Sequence, residues 1–257
     1  MSDTIDAAAQ PAMRAERAGR VASSERPAFQ MPARDFVALA QGFYLVFWGL
    51  LVTLLTAAQL FVLVGVSTFT EWFLGAGVLA TLIGSRRLYQ VRSAGERWHN
   101  RVRVVFALAI LLTYFCFFFY LWRRVPTSAY LMGNALAFAA TGILYLVAFN
   151  HAVAALAAAL DRPNMALESH LLSASNIGLL LLPFAGAIAY VVSMSILHKG
   201  EPLAELQSLL GHANLLVIVV LLLPFSLTLS LAWSCKDVVL RELASLDHPR
   251  ELGSGPS

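Results

Sequence analysis

Charge is scarce in this chain, and it is missing altogether from the interior of the apolar stretches that fill most of it. Of 257 residues, 13% are charged and 59% are hydrophobic, where a soluble domain carries about 25% charged residues. So little charge cannot cover so much apolar surface in water, and the composition calls for lipid. The apolar stretches, roughly 36–66, 69–90, 104–122, 128–160, 170–197 and 209–234, hold no Asp, Glu, Lys or Arg away from their ends. Proton relays, ion-coupled carriers and voltage sensors depend on such intramembrane groups. Their lack argues against a proton- or sodium-coupled pump.

Cysteine and catalytic signatures are equally thin. The two cysteines, Cys116 in the outer half of the third stretch and Cys235 at the inner end of the sixth, fall in opposite leaflets, so no disulfide between them is expected. There is no Gly-x-Ser-x-Gly elbow, no His-Glu-x-x-His, no Cys-x-x-Cys and no acidic cluster. Hydrolase and zinc chemistry therefore have no support. No cofactor motif is present and no cofactor is expected, which leaves an enzymatic role without a foothold.

What is present is six runs of the ~20 residues that a helix needs to cross the hydrocarbon core, the longest of them tilted or protruding. The sequence predicts an all-α integral membrane protein, a bundle of six transmembrane helices over 36–234 with both termini cytoplasmic. Orientation follows from the basic residues: with the N-terminus inside, 15 of the 18 Lys and Arg fall on the cytoplasmic side, as the positive-inside rule requires. These charges read as topology and need no nucleic-acid partner. Residues 1–35 carry ten charges and no apolar core, which fits a cytoplasmic disordered tail rather than a cleaved signal; 235–257 reads as a second cytoplasmic tail. Two lysines against 16 arginines suggest a GC-rich bacterial genome, and hence a cell inner membrane.

Several constellations carry candidate chemistry. Polar side chains gather in the inner half of the last three helices: Asn150, His151, Ser173, Ser175, Asn176, Ser226, Thr228 and Ser230. If they face one another they line a pocket for a small solute or lipid headgroup; the plainer reading is hydrogen bonding between helices. His151 and His170 are the one histidine pair at similar depth, and thus the candidate haem ligands of a redox subunit; as interfacial residues they would simply bond water or backbone. Seven aromatics occupy the nine residues 114–122, followed by Arg123 and Arg124, an outer aromatic belt with phosphate-reaching arginines or, less plainly, a flat wall for a quinone tail.

The segment 86–103, RRLYQVRSAGERWHNRVR, reads as a cytoplasmic loop. Arg86, Arg87, Arg92, Trp98, Arg101 and Arg103 are suited to the headgroup boundary or to a cytoplasmic partner. The external segment 198–212 has leucines spaced for a short surface helix. Gly77, Thr81 and Gly84, and Ala152, Ala155 and Ala159, mark close helix approach. LLLLPF at 179–184 and VLLLPF at 220–225, each with an upstream asparagine (Asn176, Asn214), predict matched kinks at Pro183 and Pro224, a pattern found at transport sites of repeated folds.

In layout alone the chain resembles the membrane subunits of ABC-2 type exporters, with six helices, cytoplasmic termini, a coupling segment between the second and third helices and a small external element before the sixth. That resemblance implies an ATPase partner docking on 88–103, although no residue there specifies one. The expected role is a subunit of a membrane complex or a permease-like transport component, in contact with the lipid bilayer and with other membrane or cytoplasmic protein subunits. The alternatives are a membrane redox subunit binding haem or quinone, and a lipid- or small-solute-binding membrane protein.

Overall fold

The computed structural model describes residues 31–62, 68–125, 128–198 and 215–247. The external segment, Asn214, residues 1–30 and the last residues of the chain lie outside the described residues. Among those described, every element is helical: α1 (Ala33–Val62), α2 (Thr68–Gln90), α3 (Glu96–Arg124), α4 (Ala129–Ala159), α5 (Pro163–Asn176), a π-helical turn (Ile177–Leu181), α6 (Leu182–His198) and α7 (Leu215–Asp247). With 163–198 taken as one continuous helix, each of the six apolar runs has become one helix.

Four stretches, Ala33–Thr56, Glu96–Trp122, Ala129–Ala159 and Pro163–Tyr190, are long and apolar enough to cross a membrane. Their outward faces expose large apolar side chains, among them Ile110, Phe117, Leu144, Leu171 and Leu182. Helices of this length wearing such faces make the chain a membrane protein.

The helix ends are set by local chemistry. Gly95 caps α3 with φ 97°, a backbone conformation that glycine adopts without Cβ strain, and the turn is tied by Gly95 N–H to the Arg92 carbonyl at 3.2 Å. Only 91–95 separates α2 from α3. The predicted loop over 86–103 is therefore mostly helix: its arginines keep helical propensity outside the lipid, and no separate coupling helix forms. At the end of α4, Arg162 N–H reaches the Ala157 carbonyl (2.8 Å) and Asp161 N–H the Ala158 carbonyl (3.4 Å), with Asp161 at φ 54°. This is a Schellman motif in which aspartate takes the usual glycine place. Pro163 then opens α5 at a position where its missing donor is harmless. The fifth helix thus begins before the expected His170, and α7 runs beyond the expected Ser234 to Asp247.

α1 packs against both α2 and α7, α2 against α3, α3 against α4, and α4 against α5, while α7 touches α4 and α5 more lightly. Phe43, Tyr145 and Phe149 fill the centre; Phe43 and Phe149 meet edge to face at 6.0 Å. Tyr145 hydroxyl lies 2.9 Å from Ser85 Oγ. The Ser85 proton is given to the Thr81 carbonyl at 2.8 Å, so tyrosine is the donor.

The tightest seam joins α1 and α2. A Cβ added at Gly77 would stand 2.9 Å from the Gly49 carbonyl oxygen, and one at Gly84 would stand 2.9 Å from that of Gly42. Gly42 thus pairs with Gly84 and Gly49 with Gly77, seven residues apart on each antiparallel helix, and only hydrogen fits at these crossings. The Thr53 and Thr81 hydroxyls bond back to the Gly49 and Gly77 carbonyls at 2.8 and 3.0 Å.

At one end of the bundle, Ser93 of the α2–α3 turn donates to Asp35 of α1 (2.5 Å), and Arg162 of the α4–α5 turn pairs with Glu242 of α7 (2.6 Å). The start of α1, both tight turns and the end of α7 therefore share that end.

Candidate functional site

α4, α5 and α7 meet at three wholly buried polar side chains, Asn150, Asn176 and Thr228. Asn176 is the last residue of α5, roughly 20 Å along the helix from Pro163 at 1.5 Å per residue. Both amides donate through Nδ2 to Thr228 Oγ1 at 3.3 Å, and Thr228 gives its own proton to the Pro224 carbonyl at 2.9 Å. The hydroxyl is then saturated, with one proton given and two lone pairs filled.

Asn150 Oδ1 and Asn176 Oδ1 have no partner among the described residues. Turning either amide over does not help, because an oxygen would then face a hydroxyl whose only proton is already committed. A buried acceptor left unpaired costs about 1–3 kcal/mol. Two together form a standing demand for a hydrogen-bond donor.

Each flanking helix carries a proline here, and the first is irregular. Pro183 offers no N–H to the Leu179 carbonyl, and Leu182 N–H bonds to Ile177 instead of Gly178. The carbonyls of Gly178 and Leu179 thereby lose their usual donors. The expected kink at Pro183 is resolved as this π-helical turn, a form that recurs at functional sites. Pro224 lies inside the continuous α7 one turn before Thr228, and the Thr228 hydroxyl returns a bond to the proline's own carbonyl. The repeated Leu-Leu-Pro-Phe phrase thus places one proline in each of the two helices, with a π-helical turn in the first and none in the second.

From this junction a polar line runs toward the end of the bundle that holds the tight turns. His151 Nε2 lies 3.0 Å from Ser173 Oγ, and the His151 and His170 rings meet at 6.0 Å between centroids. His151 is half-buried, Ser173 buried and His170 exposed. All five residues expected to bind a ligand, Asn150, His151, His170, Ser173 and Asn176, therefore fall on the facing sides of α4 and α5, joined by Thr228 from α7. Ser226 and Ser230 instead face outward, Ser226 bonded to its own helix through the Leu222 carbonyl at 3.1 Å. A haem ligated through His151 Nε2 would have to displace the Ser173 hydroxyl.

The basic set is placed differently. Arg86, Arg87, Arg92, Arg101 and Arg103 are exposed around the turn-bearing end. Trp98 is not at the boundary with them: it is 1% exposed and donates its indole N–H to the Val91 carbonyl at 3.0 Å. A buried indole needs one acceptor, and the α2–α3 turn supplies it, so Trp98 locks the turn and contacts neither lipid nor partner. Arg124 Nη2 reaches the Tyr120 hydroxyl at 3.1 Å, and the side chain of Arg123 lies outside the described residues. In the aromatic segment, Phe119 stacks on Phe138 of α4 at 5.3 Å and Phe118 meets Tyr130 at 6.1 Å, while Tyr114 and Phe117 stay exposed. Part of the expected wall packs against α4, and none of its rings is fully buried.

Sequence reasoning missed Gly42 and Gly49, because it looked for small residues at four- and three-residue steps; their seven-residue spacing was the available signal. It also missed the Ser85–Tyr145 bond, for which one sequence carries no signal. Comparison of the chain with the models of known protein families, with curated proteins and with solved structures gives no match.

Proposed function

We propose that this chain is a six-span protein of a bacterial-type inner membrane, with both termini cytoplasmic, acting as a permease-like transport component for a small hydrogen-bond-donating solute. One observation carries the reading: two wholly buried amide oxygens, Asn150 Oδ1 and Asn176 Oδ1, stand unpaired beside two prolines, Pro183 after the π-helical turn and Pro224 inside α7. Prolines that strip backbone donors from helices beside a polar point leave carbonyl and side-chain acceptors open to a solute, as the discontinuous helices of carriers do more fully. The donor set is acceptor-rich and uncharged, which suits urea, ammonium, amines or polyols and gives an anion nothing to bind.

The His151–Ser173–His170 line is the solute's route toward the cytoplasm. The orientation rests on the distribution of basic residues, and the expected tail over 1–35 is shortened by α1, which begins at Ala33. Other subunits, an ATPase among them, would dock on the exposed arginines of the turn-bearing end.

The test is stopped-flow light scattering on proteoliposomes challenged with urea, glycerol, methylamine and ammonium. At least one solute should enter faster than into protein-free vesicles, and Asn176→Leu should abolish the difference. If no solute of the panel enters faster, the permease reading fails. A purified preparation with a Soret band that His151→Ala removes would establish the redox reading in its place.

A further inference from the structure

Away from the polar junction, a groove of about 500 Å³ opens on the outside of the bundle, lined by Gln41, Tyr44 and Leu45 of α1, Arg87 of α2, and Lys236 and Leu240 of α7. Its two cations differ in kind. The Lys236 side chain is only 13% exposed, its ammonium seated 3.1 Å over the Trp233 ring centroid and 3.2 Å from Asp237 Oδ1. Lys236 is therefore fixed in place, with its charge shared with one carboxylate. Arg87 is exposed and forms no ion pair among the described residues, so it brings an uncompensated charge with a fork of donors that matches phosphate.

The groove has a cationic end and an apolar run. Leu45 and the Tyr44 ring continue from it along α1, inside a stretch long and apolar enough to cross a membrane. The Gln41 amide and the Tyr44 hydroxyl line the same groove and offer hydrogen-bond partners to a glycerol ester linkage. A soluble anion would use the first half of this site and waste the second. A lipid anion uses both.

We propose that this groove binds one anionic phospholipid of the surrounding leaflet, its phosphate held by Arg87 and Lys236 and an acyl chain laid along Tyr44 and Leu45. The site is separate from the α4–α5–α7 junction and stands whether or not the permease reading does. Each basic residue at an anionic lipid surface contributes enough that losing both should weaken binding roughly thirtyfold.

The experiment uses the delipidated full chain in detergent, with bound lipid counted by native mass spectrometry and thermal midpoints read against phosphatidylglycerol, phosphatidylcholine and inorganic phosphate. Phosphatidylglycerol should stay bound and raise the midpoint in the wild type and in Arg241→Gln, an exposed residue outside the groove, but not in the Arg87→Gln/Lys236→Gln double variant. Should the double variant not fold, Arg87→Gln alone decides, since it removes only an exposed side chain; a loss of roughly fivefold is expected. The proposal is overturned if phosphatidylcholine acts as well as phosphatidylglycerol, or if the variants hold lipid as the wild type does. A midpoint shift from inorganic phosphate equal to that from the lipid would assign the groove to a soluble anion instead.

Discussion

Between α1 and α2 the backbones touch; where α4, α5 and α7 meet, amide side chains hold them apart. At the first seam, glycines remove the side chain at each crossing, and the threonine hydroxyls fold back onto their own helices. Every polar group there is accounted for locally. At the second, one hydroxyl serves two amides, two acceptors stay unpaired, and each flanking helix carries a proline. In lipid, no hydrophobic force draws helices together, so contact has to come from close packing or from polar bonds. The two regions divide these means between them. The packed seam supplies stability, whereas the polar junction leaves two acceptors unpaired at a cost in stability.

Substitutions can break this contrast, and the largest effect belongs to the seam. Gly77→Leu places a Cβ against the backbone of Gly49, which cannot yield as a flexible side chain would. We expect a loss at the upper end of overpacking costs, about 3 kcal/mol, read as a lower midpoint of thermal unfolding in detergent. The matching change at Gly133, where nothing lies within 4 Å, should be nearly silent, and an equal loss at both sites would refute the seam.

At the junction the sign reverses. Asn176→Leu removes one orphaned acceptor worth about 1–3 kcal/mol and one interhelical bond worth about 0.6 kcal/mol. The variant should unfold at the same or a higher temperature while losing solute flux. A clear destabilisation would mean that the amides only glue helices together. Tyr145→Phe comes next: Ser85 keeps its bond to Thr81, so the cost should be about 0.6 kcal/mol, and a loss several times larger would show that Tyr145 does more than bridge α2 and α4. The smallest effect is Glu242→Gln. The pair with Arg162 is partly exposed and should be worth at most about 1 kcal/mol, fading as salt is added.

The number and approximate place of the helices were legible because an apolar run of spanning length has few other uses. Their ends were not, since α3 begins among arginines at Glu96 and α7 continues through Lys236 and Arg241, where hydropathy says nothing and helix propensity decides. Asn150, His151, Ser173 and Asn176 were legible for the opposite reason: a polar side chain within an apolar run is costly and draws the eye. Trp98 misled because a tryptophan among arginines matches the composition of an interfacial belt, and only the position of the Val91 carbonyl reveals it as buried. That the two amide oxygens are left unpaired follows from the proton count at Thr228, which needs three helices in place before it can be made.

The glycine pairs have a consequence for assembly. Two crossings, each specific for hydrogen, act as a vernier: slide α1 past α2 by seven residues and one pair still meets while the other is lost, so only one alignment engages both. The α1–α2 hairpin thereby holds its own registration, with no need of the other helices. α3 to α7 would join a finished template, and the α4–α5–α7 junction lacks such self-sufficiency, since three separate helices must meet to form it.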